Sequence, residues 1–124
     1  METQRNAIRS LLQGNNEFET GILTVPAGGT VPEGALLART SGGKFAVVED
    51  AEKENPVAVN PVEIGNPASA DADIPFRAIV GGRVRFDMLS VAGQPITERH
   101  GDLLRQFAGI TAKKVTDLSW GFRD

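Results

Sequence analysis

Residues 74–90, IPFRAIVGGRVRFDMLS, constrain the fold more than any other stretch of this chain. Ile74, Phe76, Ala78 and Val80 fall at every second position, as do Val84, Phe86 and Met88, with a glycine pair between the two rows. Alternation at period two marks a strand with one buried face, and glycines joining two such rows predict a β-hairpin. Facing decides the loop. A two-residue loop at Gly81-Gly82 sets the apolar rows on opposite faces, whereas Gly81-Gly82-Arg83 pairs Val80 with Val84, Ala78 with Phe86 and Phe76 with Met88. A one-residue slip turns every side chain over, so burial of one face selects the three-residue loop. That register also sets Arg77 opposite Asp87, a favourable cross-strand pair.

The same grammar runs through the rest of the chain. Phe18, Thr20 and Ile22 alternate with Glu17, Glu19 and Gly21 in a strand that reaches Val25 and ends at Pro26-Ala27-Gly28-Gly29. Val31-Pro32-Glu33-Gly34 predicts a type I turn into a strand over residues 35–39. Ser41-Gly42-Gly43 turns the chain into a third strand over 44–48, and a charged loop (49–55) precedes a short strand at Val57-Ala58-Val59. Residues 65–73 form a small-residue loop. Fourteen glycines and seven prolines in 124 residues fit many short strands joined by tight turns.

Two segments have helical spacing. Residues 3–12 set Ile8, Leu11 and Leu12 on one face, with Thr3 as N-cap and Gly14 just past the end. A helix this short frays unless its stripe is buried, either on the chain's own core or on another chain. A second helix, Thr97 to Ala108, is capped by Thr97 and Gly109 and buries Leu103, Leu104, Phe107 and Ala108. Residues 110–115 then add an edge strand, and Trp120 and Phe122 follow. Large aromatics in such a segment either fold back on the core or dock on a partner. The expected architecture is a compact, mainly β domain of the sandwich or barrel-like kind with one or two short helices (α+β). Residues 1–16 form an arm or short helix, and 17–124 a single domain.

Chemistry-bearing patterns are few. His100 is the one histidine and there is no cysteine, so neither a thiolate nor a multi-histidine metal site is available. No serine sits in a Gly-x-Ser-x-Gly elbow. Gly42-Gly43-Lys44 fails the phosphate-loop pattern, because Ala38 and Phe45 stand where it needs Gly and Ser or Thr. The acidic run Glu49, Asp50, Glu52, Glu54 lacks the ligand spacing of a calcium loop. The expectation is a protein that is no enzyme and uses no cofactor or metal. A net charge of −3 with scattered basic residues argues against nucleic acid, and no apolar run of about 20 residues suggests a membrane span. The opening METQRNAIRS has no apolar secretory stretch, so a cytoplasmic site of synthesis is expected. Arg83 and Arg85 share a face of the expected hairpin, either its wet side or a surface suited to an acidic partner. A carrier domain of the biotinyl or lipoyl type is a weaker reading, since Lys44 lies between Gly43 and Phe45 rather than in the usual Met or Asp setting.

Four stretches, Gly28-x-x-Val31-x-x-Gly34-x-Leu36-Leu37, Lys44-Phe45-Ala46, Pro56-Val57-Ala58-Val59 and Ile79-Val80-x-Gly82-x-Val84, follow one another in an order that resembles the head decoration (capsid cement) family of tailed bacteriophages, the family of the phage lambda decoration protein. The resemblance covers about residues 17–115 and rests on glycines and apolar positions. It implies a β-rich homotrimer on the exterior of the expanded capsid, made in the host bacterial cytoplasm, with the major capsid protein as partner. It also implies an N-terminal arm that orders against the shell. Ile8, Leu11, Leu12 and Phe18 are then the expected capsid contacts, and Arg83, Arg85, Trp120 and Phe122 the expected trimer or partner contacts. The helical spacing of the arm and the segment carrying Trp120-Gly121-Phe122 depart from the family pattern.

Overall fold

In the computed structural model, residues 11, 12 and 16–114 are described. They form a five-stranded barrel with an extension along one strand. The barrel strands are β1 (Glu17–Val25), β3 (Leu36–Arg39), β4 (Phe45–Val47), β5 (Ala58–Val59) and β7 (Ala72–Arg85), ordered β1-β4-β3-β5-β7 and closed by β1 pairing antiparallel with β7. Two short strands, β2 (Thr30–Val31) and β6 (Ile64–Gly65), pair beside the barrel, as do β8 (Ser90–Val91) and β9 (Gln94–Pro95). Helix α1 (Glu98–Ala108) and strand β10 (Ile110–Lys113) complete the described chain, with β10 running parallel to the end of β7.

The central strands are buried on both faces, and consecutive residues therefore enter different cores. Leu37, Ala58 and Ala78 point to the barrel interior with Leu23, Phe45 and Phe76, whereas Leu36, Val59 and Ile79 lie in a second cluster with Leu103 and Leu104 of α1. The near-continuous apolar runs of β3 and β5 follow from this double burial. Inside the barrel the Phe45 and Phe76 rings meet edge to face at 5.5 Å.

The hairpin expected at 74–90 is not formed. β7 runs unbroken for 14 residues through Gly81-Gly82-Arg83, and Phe86–Met88 is a 3-10 turn. None of the pairs Val80–Val84, Ala78–Phe86 or Phe76–Met88 exists, and Asp87 pairs with Arg85 rather than Arg77. Long-range partners win over the local turn. Residues 72–81 pair with β1, from Val25↔Ala72 to Glu17↔Gly81, and residues 82–85 pair with β10. The register jumps where Glu17 pairs with Gly81 but Phe18 with Ile79, leaving Val80 as the extra residue of a β-bulge. The bulge changes the facing parity, so Ile79 and Val84, five positions apart, both join the cluster under α1. Gly82, at φ +100, accommodates this bend.

The turn before β3 also differs. Ala35 N donates to Pro32 O, so the turn spans 32–35 rather than 31–34, and Gly34 at φ +89 holds the position that defines type II. A Cβ at Gly34 would lie 1.8 Å from Met88 O, so no side chain fits there.

Most of the helix expected at 3–12, with Thr3 and Gly14, lies outside the described residues. Its final residues do not continue a helix, because Leu12 makes an antiparallel bridge to Val84 and Leu11 O accepts from Arg85 N. The second helix matches its expected caps. Thr97 Oγ1 accepts from His100 N, and Gly109 ends the helix at φ +70. Phe107 does not join the buried face and is 40% exposed.

Candidate interaction surface

Past the bulge, β7 leaves the barrel and forms a short parallel ribbon with β10. The register sets Thr111 beside Arg83 and Lys113 beside Arg85. Partnered residues of a ladder share a face, and so do residues two apart on one strand. Arg83, Arg85, Thr111 and Lys113 therefore occupy one face of the ribbon, while Val84, Ile110 and Ala112 turn to the other, against the cluster under α1. Asn16 Nδ2 ties this rim down by donating to Arg83 O at 2.9 Å and to Gly81 O at 3.4 Å.

The charges on this face are uneven. Arg85 is held by Asp87 through two bonds, Nε to Oδ1 at 3.0 Å and Nη2 to Oδ2 at 2.7 Å. Arg83 and Lys113 form no ion pair among the described residues, although Arg39, Lys44, Arg99, Arg105 and Lys114 all do. Like charges on directly opposed strand positions repel. Arg85 and Lys113 are such a pair, with Asp87 offsetting one of the two. The result is a compact cationic strip on a chain whose net charge is −3. A strip of this kind can hold carboxylates of a partner surface.

The structure unites part of the expected contact set. Arg83 and Arg85 do share a face, and Lys113 joins them. Lys113 and Lys114 are adjacent in sequence, but strand alternation sends the two side chains to different places. Lys114 turns to Glu98 of α1. Leu11 belongs to the chain's own core, 2% exposed, and so is not presented to a partner. Leu12 and Phe18, each 36% exposed, lie on the same edge of β7. They align with Val84 and Ile79, about 17 Å apart along a strand, and so form two separate points. The Phe18 ring carries the Arg77 guanidinium 4.5 Å above it, a cation–π contact on the open side of the barrel. Ile8, Trp120 and Phe122 lie outside the described residues.

The residues considered for chemistry have local structural duties. His100 Nδ1 accepts from Thr97 N at 3.2 Å, completing a capping box at the start of α1. The acidic run folds on itself, with Glu54 Oε1 accepting from the backbone N–H of Glu49 and Asp50 and Asp50 Oδ1 accepting from Glu52 N. Glu52 in turn clamps Arg99 of α1, and that guanidinium holds the Glu52 carboxyl below its usual range. Lys44 stands beside the turn joining β3 to β4, with its ammonium bound to Asp73. Among the described residues, no group of three or more His, Cys, Asp or Glu side chains is placed to hold a metal ion. No protein-family model matches the chain, and no curated protein is significantly similar to it.

Proposed function

We propose that this chain is a structural virion protein that binds the outer surface of an expanded phage capsid as a trimer and stabilises that shell, with the major capsid protein as its partner. The supporting observation is a small barrel filled by its own side chains that carries, at one rim, a cationic strip in which Arg85 is paired with Asp87 while Arg83 and Lys113 form no ion pair among the described residues. The residues of the family resemblance are those on which this barrel is built. Gly34 makes the tight approach to Met88; Leu36, Leu37, Phe45, Ala58, Val59 and Val84 are core.

The mechanism is linkage. A protein that binds the expanded shell and not its precursor stabilises the expanded state, by about 2.7 kcal/mol per site at a free concentration 100-fold above Kd. A trimer engages several subunits at once, so weak single contacts gain through effective concentration. Arg83 and Lys113 supply electrostatic attraction to a carboxylate-bearing lattice, and Leu12 and Phe18 supply apolar contact beside it.

Co-sedimentation with expanded, undecorated heads tests this. The full chain is expected to pellet saturably with heads, and Arg83→Glu with Lys113→Glu to bind at least about tenfold more weakly, the equivalent of one lost charge-assisted contact of about 1.4 kcal/mol. A truncation testing the arm must stop at residue 10, because removing Leu11 opens the core. Failure of the full chain to bind heads overturns the reading, and binding to tails instead assigns the chain to another part of the virion.

A further inference from the structure

The strand β10 is the last of its sheet, so its outer edge has no strand partner among the described residues. Such an edge leaves a row of N–H and C=O groups open to pairing with another chain. The two faces of β10 beside that edge differ in chemistry. On one, Arg83 and Lys113 are both exposed and form no ion pair among the described residues. On the other, a groove of about 320 Å³ lies between β10 and α1, lined in part by Phe86 and Ala112, both partly exposed. Gly101 widens it from the helix side, since even a Cβ there would stand 3.5 Å from Phe86 Cε2 and 3.8 Å from Ala112 Cβ. The charges lining the groove are already paired, Asp102 with Arg105 and Glu98 with Lys114.

A strand laid on this edge would alternate its side chains in step with β10. One row would lie over Arg83 and Lys113, the other towards Phe86 and Ala112. Carboxylates suit the first row and apolar side chains the second. A second copy of β10, paired antiparallel about a two-fold axis, does not meet this pattern. It would bring Lys113 of both molecules to one face, where like charges repel.

We propose that the outer edge of β10 takes an extended segment of a different chain, in which acidic and apolar residues alternate, as a further strand of the sheet. This rests on the capsid reading above and names the chemistry of that contact.

The test titrates the synthetic peptide Ac-EVEVEVE-NH2 into the full chain by calorimetry. Its comparisons are EEEVVVE, of the same composition without alternation, and two forms N-methylated either at the glutamates or at the valines. The alternating peptide is expected to bind saturably. EEEVVVE should bind at least about tenfold more weakly, as should the alternating peptide to Arg83→Glu with Lys113→Glu. That double variant should in turn prefer KVKVKVK. Alternate amides of a paired strand face its neighbour, so methylation at one residue type should abolish binding and at the other should spare it. Absence of binding, equal binding of EEEVVVE, or an equal response to the two methylated forms overturns the proposal. Heads that bind the full chain while the peptide does not would remove this inference and leave the capsid reading standing; the reverse result would remove the capsid reading alone.

Discussion

Two buried asparagines, Asn60 and Asn66, do at residue scale what strand pairing does elsewhere. Both are buried, at 0% and 5% exposure, beside backbone carbonyls at the ends of β1 and β2. Asn66 Nδ2 lies within 3.2 Å of Val25 O, Pro26 O and Ala70 O, and its Oδ1 accepts from Ala68 N. Asn60 Nδ2 donates to Val31 O and Pro32 O. Each asparagine thus fastens the end of one strand to a distant loop. Asn66→Ala is expected to cost about 2–3 kcal/mol, because buried carbonyls lose their donor. Asn66→Asp should be worse at neutral pH than in acid, since an ionised carboxylate would face those carbonyl oxygens. Urea midpoints of the two variants check both statements. Sequence reading passed over these positions because Asn-Pro in a glycine-rich stretch carries only a turn signal.

Among the elements, α1 and β7 show opposite relations between local signal and outcome. The boundaries of α1 are written locally, in Thr97, His100 and Gly109, and its buried face in Leu103 and Leu104. Replacing Thr97 with Ala should destabilise the protein by about 1 kcal/mol through loss of the acceptor for His100 N, measured by chemical denaturation. An unchanged midpoint would mean that packing of α1 against β10 and the core makes the cap redundant. β7 carries an equally clear local signal, the glycine pair, and overrides it. A hairpin would have satisfied the strand with itself. The long strand instead serves β1, β5, β10 and Leu12 as partners, which joins the barrel to the helix-covered side in one element.

At the scale of the whole molecule, surface ion pairs link elements that are distant in sequence. Glu52 reaches Arg99, Asp73 reaches Lys44, and Glu98 reaches Lys114. The Lys44 ammonium, with the Thr24 hydroxyl second, holds Asp73 below the usual carboxylate range, and Lys114 does the same for Glu98. All three carboxylates are solvent-facing, so each pair contributes little alone. Their sign is nonetheless fixed. A carboxyl whose pKa is lower folded than unfolded stabilises the fold above the ordinary carboxylate range, and that stability is lost as pH falls through the folded values. Thermal midpoints should therefore be level near neutrality and decline in acid. Glu52→Gln, Asp73→Asn and Glu98→Gln combined should make the decline shallower, as should high salt. An equally steep decline in the triple variant would place the acid sensitivity elsewhere.

By itself the sequence determined the places of β1, β3, β4 and β5, the helix with both its caps, and the shared face of Arg83 and Arg85, because each rests on spacing within a few residues. Only the tertiary structure decided that Gly81-Gly82 bends a strand instead of reversing it, that Leu11 closes the core, and that Lys113 joins the cationic strip. Those outcomes depend on which distant segments supply hydrogen-bond partners and apolar cover. Alternation states which side chains share a face, but the identity of what lies opposite that face is settled by the closed sheet, where burial on both sides outweighs the preference of a single turn.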